Sequence, residues 1–190
     1  MRICRGTGLK GLTGISPVRD NIIRPLIETT RSQIEEYLLQ KNQNFVTDKT
    51  NLTDDYTRNK IRNIVIPYIQ KEFNPNIIQT MERLSQVATE ESDYINKQTN
   101  EIYQKILIEK KEDQVVLKLK EFNKQEKVIK NRIVLKAIKE VMGSTERIEK
   151  IHIEDIIKLC DNNVGNKFLT PNKNVKVLIK NKKIYVINLQ

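Results

Sequence analysis

The sequence predicts an α+β fold, mainly helical, and three stretches carry that reading. Between residues 77 and 108 apolar side chains recur at Ile77, Met81, Leu84, Ala88, Ile95, Ile102 and Ile106. Their spacings of 3, 4 and 7 put them along one side of a long amphipathic helix. Residues 124–142 repeat the pattern with Ile129, Ile133, Leu135, Ile138 and Val141, and Gly143 stops it. Near the C-terminus residues 175–179 and 184–188 alternate around K-N-K-K, which predicts a small β-hairpin.

Taken in order, residues 1–4 read as the last turn of a helix stopped by Gly6. No helix start precedes them, so the chain is expected to be cut from something longer. R-G-T-G-L-K-G-L-T-G follows, with Gly6, Gly8, Gly11 and Gly14. Three of these satisfy G-x-G-x-x-G, but no strand precedes the motif and L-T-G-I-S-P opens no helix, so it is not a dinucleotide fingerprint. It remains a glycine-rich loop between Arg5 and Lys10, able to bring backbone N–H groups to an anion. Residues 21–27 predict a short strand with Arg24 outward and Pro25 at an edge. Thr30 and Gln33 form a capping-box pattern at the start of a helix over 31–40, with Ile34, Tyr37 and Leu38 on one face.

Asp48, Thr50, Asn51, Thr53, Asp54 and Asp55 form a turn cluster ahead of a helix capped by Thr57. That helix carries Ile61, Val65, Tyr68 and Ile69 as its apolar stripe and runs to Phe73, kinked at Pro67. Arg58 and Arg62 fall on the same side as Val65 and Ile69, where an unpaired guanidinium is costly. Two readings stand side by side: Asp48, Asp54 or Asp55 neutralises them, or one reaches a phosphate or carboxylate in a cleft. N-P-N at 74–76 marks a domain boundary, giving domains of 1–73 and 74–190. The heptad spacing beyond it is compatible with a homodimer seam or with packing inside the same chain.

Residues 115–119 alternate as a short strand. Lys127, Lys130, Arg132, Lys136 and Lys139 stud the 124–142 helix, as a solvated face or a phosphate-binding one. His152 reads as a cap or surface residue ahead of a short helix. Residues 167–169 add a further extended piece, and the hairpin lysines read as guards on an edge strand.

Composition narrows the classes. The chain has 190 residues, 34 Lys plus Arg against 24 Asp plus Glu, and a formal charge of +10, which favours a polyanionic partner. No Trp and 5% aromatic residues argue against base stacking as the main binding device. Cys4 and Cys160 are scattered and have only His152 beside them, so Cys and His alone build no zinc site. Free thiols, no membrane-length apolar run and no signal peptide give a cytoplasmic expectation.

In combination, R-G-x-G-x-x-G-L (5–12), R-P-L (24–26), D-x-T-N (48–51) and Y-T-R-N-x-I-R (56–62), followed by P-x-I and N-P-N, resemble the tRNA(Ile)-lysidine synthetase family. The long helix and H-I-E-D-I-I-K-L (152–159) extend the likeness over most of the chain. The resemblance implies an ATP- and Mg²⁺-dependent enzyme that adenylates C2 of the wobble cytidine of isoleucine tRNA, then lets lysine displace AMP. It implies a PP-loop α/β domain followed by a helical tRNA-binding domain. On this mapping Arg5, Arg58 and Arg62 are catalytic, Gly6, Gly8, Lys10, Arg24, Asn51 and Asn59 bind substrate, and no protein residue ligates metal. The family's S-G-G-x-D-S and H-N-x-x-D-Q-x-E-T strings are absent. The expectation is therefore an incomplete synthetase lacking the N-terminal PP-loop: the C-terminal remnant of that domain plus the tRNA-binding domain, unable to bind ATP productively alone. A stand-alone basic RNA-binding module and a non-functional truncation product are the rivals.

Overall fold

The structure is a computed structural model that describes residues 2–46, 53, 55–162 and 165–189. The chain divides into two compact units, Met1–Ser92 and Asp93–Gln190.

The first unit opens with a 3-10 turn, Ile3–Arg5, closed by Gly6 at φ +75°. A one-turn helix, α1 (Leu9–Leu12), then forms inside the segment expected to be all loop. β1 (Val18–Arg19) and β2 (Ile22–Ile23) make a two-stranded antiparallel ribbon. The strand expected over 21–27 stops at Ile23, because the chain then curls into turns: the Ile27 N–H bonds the Arg24 carbonyl, and that of Thr29 the Leu26 carbonyl. α2 (Arg31–Gln40) begins at the expected capping box, with Thr30 and Gln33 each satisfying the other's backbone N–H. Its Tyr37 is exposed, while Ile34 and Leu38 are half-buried.

α3 (Thr57–Lys60) is entered from Tyr56, which takes the N-cap position given to Thr57 above. A π-helical turn, Ile61–Val65, joins it to α4 (Ile66–Glu72). Pro67 has no N–H for the carbonyl four residues back, so regular α geometry is costly just ahead of it. The wider turn accommodates this, and the Ile66 N–H reaches back five residues to the Ile61 carbonyl. α5 (Ile77–Ile106) starts just after the N-P-N break. Among the described residues of this unit only Asn59, Ala88 and Ser92 are buried.

The second unit holds the hydrophobic core. β3 (Leu107–Lys110) and β4 (Gln114–Lys118) lead into α6 (Leu119–Asn123), α7 (Lys127–Met142) and α8 (Lys150–Asn162). β5 (Lys167–Asn172), β6 (Val175–Lys180) and β7 (Lys183–Asn188) complete an antiparallel sheet of order β3-β4-β7-β6-β5. The predicted hairpin is thus β6–β7, two interior strands, and its lysines guard no edge. Register explains the core face: Val177 and Val115 both pair with Val186, while Ile179 and Leu117 both pair with Ile184. Each of these six is buried, as are Ile133, Ile138, Ile156 and Phe122 from the helices. At roughly 1.5–3 kcal/mol per fully buried aliphatic side chain, this is where stability is concentrated.

Helix ends follow local chemistry. Gly143 sits at φ +73°, left-handed, with its N–H on the Lys139 carbonyl, as the sequence predicts. His152 Nδ1 accepts the Glu149 N–H at 3.0 Å, so it acts as a cap. Three of the five basic residues on α7 are engaged within the chain. Lys130 is buried and donates to Asp161 at 2.8 Å, and Arg132 donates to Asn96. Lys136 donates to Asn100 at 2.6 Å and lies 4.6 Å from the Tyr103 ring centroid.

Candidate functional site

The first unit contains a cleft of about 640 Å³. Its basic side chains are Arg2 and Arg5 from the N-terminal turn and Arg58 and Arg62 from the α3–π segment. Its apolar wall comes from Ile3, Leu12, Ile15, Ile61, Ile66 and residues of α5 such as Met81. No acidic side chain lines it among the described residues.

Local geometry brings the arginines together. Arg58 and Arg62 are four apart, and the wide turn starting at Ile61 helps keep both on the cleft side. Arg2 and Arg5, three apart across the 3-10 turn, share a side in the same way. Arg2 Nη1 donates to the Gly14 carbonyl at 2.9 Å and to that of Gly11 at 3.4 Å, tying the glycine segment to the N-terminal turn. Gly14 sits at φ +74°, a left-handed conformation that favours glycine over any residue with a Cβ.

Arg5, Arg58 and Arg62 are exposed. The ion pairs among the described residues of this unit are Arg19–Asp20, Arg31–Glu35 and Lys71–Glu72, none involving the cleft. This corrects the expectation of arginines turned toward a core. Asp55 forms no ion pair with them, and Asp48 and Asp54 lie outside the described residues. Exposed guanidiniums with no ion pair among the described residues, set beside an apolar wall, focus a positive field and offer planar forks to phosphate or carboxylate oxygens.

The other sequence-derived residues are dispersed. Gly6 and Gly8 border the cleft-forming turn without lining it; Gly6 ends the 3-10 turn and Gly8 precedes α1. Lys10 is exposed on α1. Arg24 is half-buried and donates to the Ser16 carbonyl at 3.0 Å, bracing the β1–β2 ribbon. Asn59 is buried, and its Nδ2 donates to the Thr53 carbonyl at 2.8 Å, holding the turn before α3. Asn51 lies outside the described residues. Sequence reading missed Arg2, whose i, i+3 spacing from Arg5 was the available signal, and missed the α5 residues.

Among the described residues no three His, Cys, Asp or Glu side chains converge to hold a metal ion. With no carboxylate lining it among the described residues, the cleft does not fit Mg²⁺ ligation by protein groups. No helix among the described residues is long and apolar enough to cross a membrane.

Residues 1–69 match the family model of the PP-loop domain. A tRNA(Ile)-lysidine synthase of Clostridioides difficile is 42% identical over 189 residues, 99% of this chain and 41% of that protein. The tRNA(Ile)-lysidine synthase of Caldanaerobacter subterraneus is 40% identical over 171 residues, 90% of this chain and 36% of its own length. The chain is homologous to the tRNA(Ile)-lysidine synthases. It spans about two fifths of the length of these relatives. The match overturns the expectation of a fragment lacking the N-terminal PP-loop, since the family model of the PP-loop domain matches residues 1–69. The inactivity inferred from its absence loses its ground. All four cleft arginines lie inside the matched segment.

Proposed function

We propose that this chain works as part of a tRNA(Ile)-lysidine synthase, ligating lysine to C2 of the wobble cytidine of isoleucine tRNA at the expense of ATP. Residues 1–73 serve the PP-loop synthetase domain and residues 74–190 the tRNA-binding part, in the cytoplasm where the tRNA is found. The observation that carries the reading is the cleft: Arg5, Arg58 and Arg62 line one hollow in the PP-loop-matched segment, free of acidic neighbours among the described residues.

In this reaction the cytidine O2 attacks the α-phosphate of ATP and pyrophosphate leaves. A lysine amine then attacks C2, the C2–O2 bond breaks, and AMP departs with the electron pair. Negative charge grows on the phosphate oxygens in both steps. Exposed guanidiniums fixed beside an apolar wall stabilise such charge more than they stabilise the neutral base. Arg5, Arg58 and Arg62 are given that role; Arg2 ties the glycine segment to the N-terminal turn from which Arg5 projects. Gly6, Gly8, Lys10, Arg24 and Asn59 support substrate binding as neighbours of the cleft or as braces of its frame, and Asn51 is given a substrate-binding role by its place in the D-x-T-N motif.

A chimera tests this. This chain replaces the matched 189 residues of the Clostridioides difficile relative, and the product is given ATP, Mg²⁺, lysine and an isoleucine tRNA transcript. Mass spectrometry of the wobble nucleoside should show lysidine, lost or strongly slowed in the Arg58→Ala and Arg62→Ala versions. A folded chimera that binds ATP and leaves the cytidine unmodified would overturn the reading.

A further inference from the structure

The turn between β6 and β7 carries Lys180, Asn181, Lys182 and Lys183. Because β6 and β7 are interior strands, edge protection does not account for these lysines. Register makes them costlier still. Lys183 pairs directly with Lys180 on one side and with Lys118 of β4 on the other. Three like charges therefore stand in one cross-strand row, an arrangement that destabilises a sheet. Their row lies on the face opposite the one bearing Val177, Val186 and Val115, since side chains alternate along each strand.

The turn adds a second cost. Asn181 and Lys182 have φ of +51° and +57°, a two-residue turn whose second position is ordinarily best filled by glycine. Lysine there accepts backbone strain that glycine avoids. The Lys182 carbonyl also accepts the Leu119 N–H at 3.2 Å, which fixes the turn beside the start of α6 and Lys120. The acid at this end, Glu121, is already engaged by Lys124 at 2.9 Å. Among the described residues Lys118, Lys180, Lys182 and Lys183 have no ion-pair partner, and all but half-buried Lys183 are exposed.

We propose that this lysine row at the β6–β7 end of the sheet is an RNA-binding surface that grips the phosphate backbone. The inference rests on the tRNA reading above and deepens it by naming where the second unit takes hold of the nucleic acid. A phosphate strand lying along the row would convert its mutual repulsion into attraction and release counterions. Contacts of this kind carry no sequence preference, so they position the RNA and leave recognition to other groups.

The test uses the full chain and an unmodified isoleucine tRNA transcript in filter binding from 50 to 400 mM salt. Lys180→Gln, Lys182→Gly and Lys183→Gln are combined, and Lys182→Gly is also made alone. The triple variant should lose about 0.9 of slope in log affinity against log salt for each lysine in contact, and roughly eightfold in affinity per contact at 0.1 M salt. Lys182→Gly alone should lose affinity while its thermal midpoint holds or rises, which a purely structural lysine would not do. Unchanged affinity and slope in a folded triple variant overturn the surface while leaving the tRNA reading intact. A parent chain that does not bind the tRNA at all overturns both.

Discussion

Replacing Arg58 or Arg62 by alanine separates the two readings that the sequence left open. Had each guanidinium been clamped by a carboxylate in a packed setting, removing it would strand a charge and cost about 3–5 kcal/mol of folding stability. Both are exposed, and neither ion-pairs among the described residues. Substitution should therefore change stability by no more than about 0.5 kcal/mol, as at other exposed positions. Binding should respond instead. One phosphate contact contributes about 0.9 to the salt slope, equivalent to roughly eightfold, or about 1.2 kcal/mol, at 0.1 M salt. If both arginines touch phosphate, the double variant should lose up to about 2.4 kcal/mol, less if they share one phosphate. Urea unfolding of the two variants, paired with tRNA filter binding at several salt concentrations, measures both quantities. A loss of several kcal/mol in stability with unchanged affinity would refute the open cleft and restore the clamp.

Other consequences follow from the core of the second unit. Ile156→Ala removes a side chain with no exposure and should cost about 2–5 kcal/mol, read as a lower urea midpoint with an unchanged m-value. Burial pushes the Cys160 thiol up to about 12, with Asp161 adding to it, so it should resist a thiol reagent at pH 8 until the chain unfolds, while exposed Cys4 reacts at once. Because that value is raised, the unfolded thiol ionises first. Its stabilising effect is whole below its ordinary value of 9.0 and should be lost as pH climbs toward 12, seen as a falling thermal midpoint that Cys160→Ala flattens. Tyr103→Phe deletes a 2.8 Å hydrogen bond to Glu140, which Lys110 still pairs at 3.3 Å, and should cost about 1 kcal/mol by urea unfolding.

What could be read from the sequence is mostly what local chemistry decides. The Thr30–Gln33 box, the Gly143 stop, the His152 cap and the β6–β7 hairpin each depend on residues a few positions apart. β3 escaped notice because L-I-E-K continues the apolar rhythm of α5, and only pairing with β4 makes it a strand. The fate of the α7 lysines was equally hidden: Lys130 finds Asp161 thirty-one residues later, and no periodicity reports that. At the site, Arg5, Arg58 and Arg62 were legible through motif spacing, and the cleft gathers all three. Their exposure was not, since the helical wheel assigned them to a core side while the π turn and sparse burial of the first unit leave them open. The same long-range sheet order that places β6 and β7 inside also removes the edge-guard explanation for their lysines.

The most direct measurement is an NMR titration of the chain, with labelled arginine side chains and backbone amides, against an isoleucine tRNA anticodon stem-loop and separately against pyrophosphate. Arg5, Arg58 and Arg62 resonances should move together with both probes and saturate at one midpoint for each. Shifts confined to other surfaces, with those three arginines unmoved at saturation, would contradict a shared phosphate site in the cleft.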